Sequence, residues 1–134
     1  MNISIEIGIG EALDRLSILE IKKKEIIDPI KLENVNKEYD YLKSQLKKFA
    51  EHQESQTSFY DGLDLYINLS DVNYKLWVVE DKLRELEMSQ DFSVDFIYFA
   101  RQVYKLNDLR AKYKKEINVL FNSNFIEEKS YKSY

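Results

Sequence analysis

The sequence predicts an all-α domain of four main helices, with long antiparallel hairpins and a short N-terminal strand or extended arm. Three observations carry that prediction. Glycine and proline are scarce, three and one in 134 residues, while hydrophobic residues make up 44% and charged residues 33%, a balance suited to long helices with few turns. Apolar residues recur at spacings of three and four through most of the chain, the mark of helices buried along one face. The Asp28-Pro29 pair, the polar stretch 51–58 and the segment SQDFS at 89–93 interrupt that pattern and leave four helical runs.

The first nine residues alternate Ile3, Ile5, Ile7 and Ile9 with Ser4, Glu6 and Gly8, which is strand-like. No second stretch alternates comparably, so such a strand must pair with the arm of a symmetry mate or with the C-terminal tail. An extended arm packed on the helices is the equal alternative. From Gly10, residues Ala12, Leu13, Leu16, Leu19 and Ile26 line one side of a first helix, with Ile18 and Ile21 on another, so this helix is contacted from two directions. Pro29 lacks an N–H and suits the first turn of a second helix. There Leu32, Val35, Tyr39, Leu42, Leu46 and Phe49 form a narrow seam of the coiled-coil-like hairpin kind. Residues 51–58 read as the one long loop. A third helix runs from near Phe59 to Met88, with irregularity expected around Gly62. Ser93 is the N-cap, and Asp95 the first-turn acid, of a fourth helix from near Val94 to Phe121. The tail 122–134 has no period and is expected to be extended, and the whole of 1–134 reads as a single helical domain.

Composition excludes several classes of function. The net charge is −4, with no basic block, which argues against nucleic-acid binding. There is no cysteine, hence no disulfide, thiolate nucleophile or cysteine metal cluster. No apolar run is long enough to span a membrane and no signal peptide stands at the N-terminus, so a cytoplasmic protein is the expectation. His52 is the sole histidine and precedes the polar loop, which excludes histidine triads and the paired Glu-x-x-His motifs of di-iron bundles. The run VVEDKLRELE does not match the carboxylate arrangement of helical nucleotide pyrophosphatases. No metal and no cofactor is predicted. Gly8 and Gly10 precede a helix N-terminus but lack the Lys-Ser/Thr of a P-loop, so they read as a cap and turn.

The candidate functional residues lie beside the helical seams. In the third helix Leu69, Val72, Leu76, Val79, Leu83 and Leu86 form the seam, and Asn73, Trp77, Glu80, Arg84 and Glu87 a polar ribbon next to it. The seam of the fourth helix is interrupted by Arg110, and its flank carries Tyr104, Asn107, Ala111, Lys114 and Asn118. Sixteen basic residues are lysine and only four are arginine, which suggests that arginine is kept for places wanting a planar, bidentate donor. Arg15 and Arg84 have acids three or four residues away, whereas Arg101 and Arg110 have none at those spacings. A guanidinium in the seam at 110 needs a tertiary carboxylate, a carbonyl or an anionic ligand; Glu80, Glu87, Asp14 and Glu20 are the candidate partners. One reading, the favoured one, is an interhelical polar network that fixes register. The other is a groove for a small anionic or polar ligand. In it Arg101, Arg110 and Lys114 are anion donors, Glu80 or Glu87 the acid or base, Trp77 and Tyr104 the walls, and Asn107 a further polar contact. Catalytic residues are not assigned.

The blocks GEALDRLSILEIK, VNYKLWVVEDKLRELE, ARQVYKLNDLRAKYKKEIN and EEKSY resemble, as a set and in this order, a family of short bacterial and phage-associated helical proteins of unknown function. The resemblance implies a setting among glycosyltransferase and surface-polysaccharide genes for some members, and it brings no catalytic residues with it. The function expected is a non-catalytic cytosolic binding or accessory module, a homodimer engaging a protein partner or a small anionic ligand. A small helical enzyme or binding protein acting on a phosphosugar, nucleotide or dicarboxylate is the alternative.

Overall fold

The computed structural model describes residues 1–52 and 56–134, apart from the side chains of 56–60. Four helices follow one another: α1 (Ile9–Glu25), α2 (Pro29–Glu51), α3 (Gln56–Met88) and α4 (Val94–Leu120). The two longest, α3 and α4, form the most extensive pair. The short α1 touches each of the other three, and among the described residues α2 packs on α1 alone. This is why α1 carries apolar groups on two sides: Leu16, Leu19 and Ile21 are all buried. Leu69 of α3 and Ile117 of α4 have no exposed surface and mark the centre of the core. The α2 seam is only half-covered, Val35 being its one buried residue. At its middle α2 is held by the Lys23 ammonium 3.8 Å from the Tyr39 ring centroid, and near its C-terminal end by Phe49 set edge-on to Phe121, just past α4, at 5.5 Å.

The helix ends explain the turns. The Asp28 carboxylate accepts from the backbone N–H of Ile30 at 2.9 Å and of Lys31 at 3.0 Å, satisfying free donors of a helix whose first residue is Pro29. Helix α3 stops where Gln90 adopts φ 56°. The Asp91 N–H then reaches Leu86 O at 2.9 Å and the Gln90 N–H reaches Glu87 O at 3.0 Å, the paired bonds of a Schellman motif. Helix α4 ends the same way through Asn122, at φ 50°. Ser93 occupies the expected N-cap position, but its side chain makes no cap bond; its N–H donates to Asp91 Oδ1 at 3.0 Å.

Three local expectations are corrected. The N-terminal strand does not form, and among the described residues there is no strand at all. Residues 1–8 belong to no helix or strand, and Ile9 belongs to α1. Ile3 and Ile5 are 88% and 69% exposed, so the arm stands clear of the helices there and packs on them only at its end, where Ile7 is half-buried and Gly8 buried. A lone strand leaves its backbone groups without a ladder partner, and no other described segment of the chain offers one. The loop expected at 51–58 is shorter, because α2 includes Glu51 and α3 begins at Gln56; residues 53–55 lie outside the described part. Helix α3 also runs unbroken through Gly62. That glycine is a contact point, where an added Cβ would stand 2.7 Å from the Phe121 ring.

Both left-handed helix stops use residues that carry a Cβ, which costs free energy that glycine avoids. Gln90→Gly is expected to raise stability by about 0.5 kcal/mol, net of the extra freedom glycine gives the unfolded chain, as read from urea denaturation.

Candidate functional site

The polar residues that interrupt the seams converge on one carboxylate. Asp14, on the inner face of α1, is 1% exposed. Its Oδ1 accepts from Asn73 Nδ2 of α3 at 2.8 Å and from Arg110 Nε of α4 at 2.9 Å. Its Oδ2 accepts from Arg110 Nη2 at 2.5 Å and lies 3.8 Å from Lys114 Nζ. Asn73 uses its second N–H on Ser17 Oγ at 2.7 Å, and that hydroxyl donates to the Asp14 carbonyl, also at 2.7 Å. Three helices are thereby tied together at one point, and the bidentate fork is the geometry in which arginine holds a carboxylate best. Burial pushes the Asp14 carboxyl up. The bonds from Arg110 and Asn73 and the charges of Arg110 and Lys114 outweigh that and hold it below its usual range.

The cluster continues outward along α4 to the C-terminal segment. Lys114 bridges Glu11 at 2.7 Å and Glu127 at 2.8 Å; burial lowers its ammonium's affinity for the proton, and these carboxylates more than restore it. The bond from Lys114, followed by that from Lys129, brings Glu127 down to about 2. Glu128 pairs with Lys115 at 3.0 Å, and the Tyr134 hydroxyl donates to Asp108 at 2.6 Å while its ring stands edge-on to Tyr104 at 5.2 Å. Residues 121–134 thus form a strap running back along α4. Between strap and helix lies a cleft of about 790 Å³, floored by Arg110, Lys114 and Asn107 and walled by Tyr104, Tyr131 and Tyr134.

The start of α1 is built into the same place. The Gly10 N–H donates to Asn118 Oδ1 at 2.8 Å and the Ile9 N–H to Ser123 Oγ at 3.1 Å. Side chains from the end of α4 therefore occupy donors that an anion would need, in keeping with a cap and turn. A Cβ on Gly10 would run into the Lys114 carbonyl, and one on Gly8 into the Asn118 side chain. Both glycines are required by this close approach.

Of the eight residues singled out in the sequence, Arg110, Lys114, Tyr104 and Asn107 come together in the cleft. The other four do not. Glu80 and Glu87 are exposed on α3 and Trp77 is half-buried, while Arg101 is exposed on α4 outside the cleft lining. The α3 ribbon therefore divides. Asn73 enters the network, but Arg84 bonds back to the Glu80 carbonyl at 3.3 Å in solvent. Among the four carboxylates offered as partner for Arg110, the residue is Asp14; Glu20 accepts instead from the Tyr66 hydroxyl at 2.8 Å. Sequence reasoning placed Asn118 on the α4 flank without giving it a role, and did not single out Glu11, Ser17, Ser123 or Glu127. The first three stand at helical spacing on α1 and α4, so facing their polar positions across the α1–α4 contact could have found them. Nothing in the tail's pattern points to Glu127. Among the described residues no group of acids or His52 could hold a metal ion, and no helix is long and apolar enough to cross a membrane.

Residues 3–134 match a family of unknown function, DUF6165, and the chain belongs to that family. No curated protein and no solved structure matches it.

Removing the guanidinium leaves a buried carboxylate with fewer partners, so Arg110→Ala is expected to destabilise by about 2–3 kcal/mol, below the figure for a fully buried pair because Arg110 is partly solvated. For pH, Asp14 and Glu127 are both depressed on folding. The stability they contribute is complete above the unfolded carboxylate range of about 4 and is lost as pH falls toward 2. Urea midpoints measured from pH 7 to 2 are expected to stay level down to about pH 5 and then decline, with a shallower decline in Glu127→Gln.

Proposed function

We propose that this member of the DUF6165 family is a non-catalytic cytoplasmic binding module, whose ligand surface is the cleft between α4 and the C-terminal strap. One observation carries the reading. Arg110 and Lys114 of the cleft floor pair with Asp14 beneath it and Glu127 beside it, and the proton affinities of these groups move away from neutrality: Asp14 and Glu127 down, Arg110 and Lys114 up. A general acid or base needs the opposite, a pKa brought near the working pH. These groups are suited to holding shape and fixed charge. They are not suited to moving a proton.

The cleft rim supports binding. Tyr104, Tyr131 and Tyr134 present aromatic faces, Asn107 a side-chain amide, and Lys129 and Lys132 ammonium groups. A volume of about 790 Å³ falls within the span of small-molecule sites. Aromatic walls, hydrogen-bonding groups and peripheral cations together suit a sugar-sized polar molecule bearing an anionic group. That chemistry agrees with an accessory role in surface-polysaccharide or glycan assembly in a bacterial or phage setting, which the sequence blocks suggest.

A thermal-shift panel of sugar phosphates, nucleotide sugars and neutral oligosaccharides tests the proposal. A ligand at a hundred times its dissociation constant is expected to add roughly 2.7 kcal/mol, and Tyr104→Ala is expected to abolish the shift. The ligand is expected to be recovered chemically unchanged. Silence across the panel would remove the small-molecule reading, and conversion of the ligand would establish the enzymatic one.

A further inference from the structure

We infer that α3 and α4 pair with the same two helices of a second copy of the chain, α3 of each lying antiparallel along α4 of the other. The surface involved is separate from the cleft. Leu63, Ile67, Tyr74 and Val78 of α3 are between 44% and 56% exposed. Their spacings of four, seven and four put them on one stripe, opposite the buried seam of Leu69, Val72, Leu76 and Val79. On α4, Val94, Tyr98, Leu109 and Val119 are exposed on the side away from Ile117. Apolar groups repeated in this way along two adjacent helices form the kind of patch that marks an interaction surface.

Charge selects the occupant. Helix α3 carries seven carboxylates and three cations, whereas α4 carries six cations and three carboxylates. Arg110 and Lys114 of α4 point into the cluster around Asp14, which leaves Arg101, Lys105, Lys112 and Lys115 outside it. Laying α3 on α3 of another copy would set acid against acid. Laying it on α4 matches the signs, and this one arrangement satisfies both helices at once.

The register can be read from the fold. Gly62 stands against Phe121, and Asn73 and Arg110 meet at Asp14. Along the antiparallel pair Tyr74 is therefore level with Leu109, Asp71 with Lys112, and Asp81 within one residue of Arg101. A two-fold axis along the helices keeps those levels while exchanging the partners. Tyr74 then packs on Leu109 of the second copy, and Asp81 flanks Arg101 of the second copy. Among the described residues Asp81 and Arg101 form no ion pair within the chain, while Asp71 and Lys112 are paired with Lys75 and Glu116 on their own helices.

Sedimentation equilibrium of the full chain tests the inference, with far-ultraviolet circular dichroism to check that each variant stays helical. The expected result is a species of twice the 16.0 kDa chain mass. Arg101→Glu is expected to raise the dimer dissociation constant by about tenfold, since two-fold symmetry applies the repulsion twice. Adding Asp81→Arg to that variant is expected to restore the affinity, and Tyr74→Glu to give a monomer. A monomer at every concentration would overturn the inference and leave this face to a different protein. So would a dimer indifferent to Arg101→Glu and Tyr74→Glu, or one broken instead by Ile3→Lys in the N-terminal arm.

Discussion

The structure depends on one buried carboxylate. Asp14 is almost wholly removed from solvent, and an ionised group there is tolerable only if its oxygens are satisfied by donors held in place. Those donors come from two other helices, Asn73 on α3 and Arg110 on α4. Apolar seams favour burial but are permissive about sliding by a turn, whereas a bidentate fork and an amide bond meeting at one carboxylate are not. Cluster and seam act together: burial drives α1 onto the α3–α4 pair, and Asp14 determines where it stops.

The rest of the α1–α4 contact follows from that position. With Asp14 opposite Arg110, the start of α1 lies against the last turns of α4, and the backbones come close enough that only glycine fits at 8 and 10. The same proximity lets Asn118 and Ser123 satisfy the first N–H groups of α1. Lys114 is left between Glu11 and a further carboxylate, Glu127, which the strap supplies. The cleft is a consequence of this arrangement, since it exists where the strap is drawn onto α4 by Glu127, Glu128 and Tyr134.

The sequence made the helices legible because each has an apolar seam at the right spacing and a punctuating residue at its end. Arg110 could be singled out because a charged group in a seam without a carboxylate one turn away must look elsewhere, and Asp14 was among the partners offered. The choice of Asp14 was not legible, since it depends on how α1 lies across two helices rather than on any local spacing. Glu80, Glu87 and Trp77 share a ribbon with Asn73, but only Asn73 falls where α1 crosses, so a correct helical face held a mixture of networked and solvated groups. The N-terminal alternation looked like a strand because periodicity reports the side-chain pattern and not whether a ladder partner exists. Glu127 was invisible for the complementary reason: an aperiodic tail gives no face to assign.

The central claim is that Asp14 and Arg110 act together as an interhelical lock. A double-mutant cycle in urea denaturation tests it most directly, using Asp14→Asn, Arg110→Gln and the two combined. The account predicts a coupling energy of about 1.5 kcal/mol or more, with the double variant more stable than the sum of the single losses implies. Additive losses, with coupling near zero, would mean that the two side chains contribute independently and that the packing of α1 is fixed by its apolar seams alone.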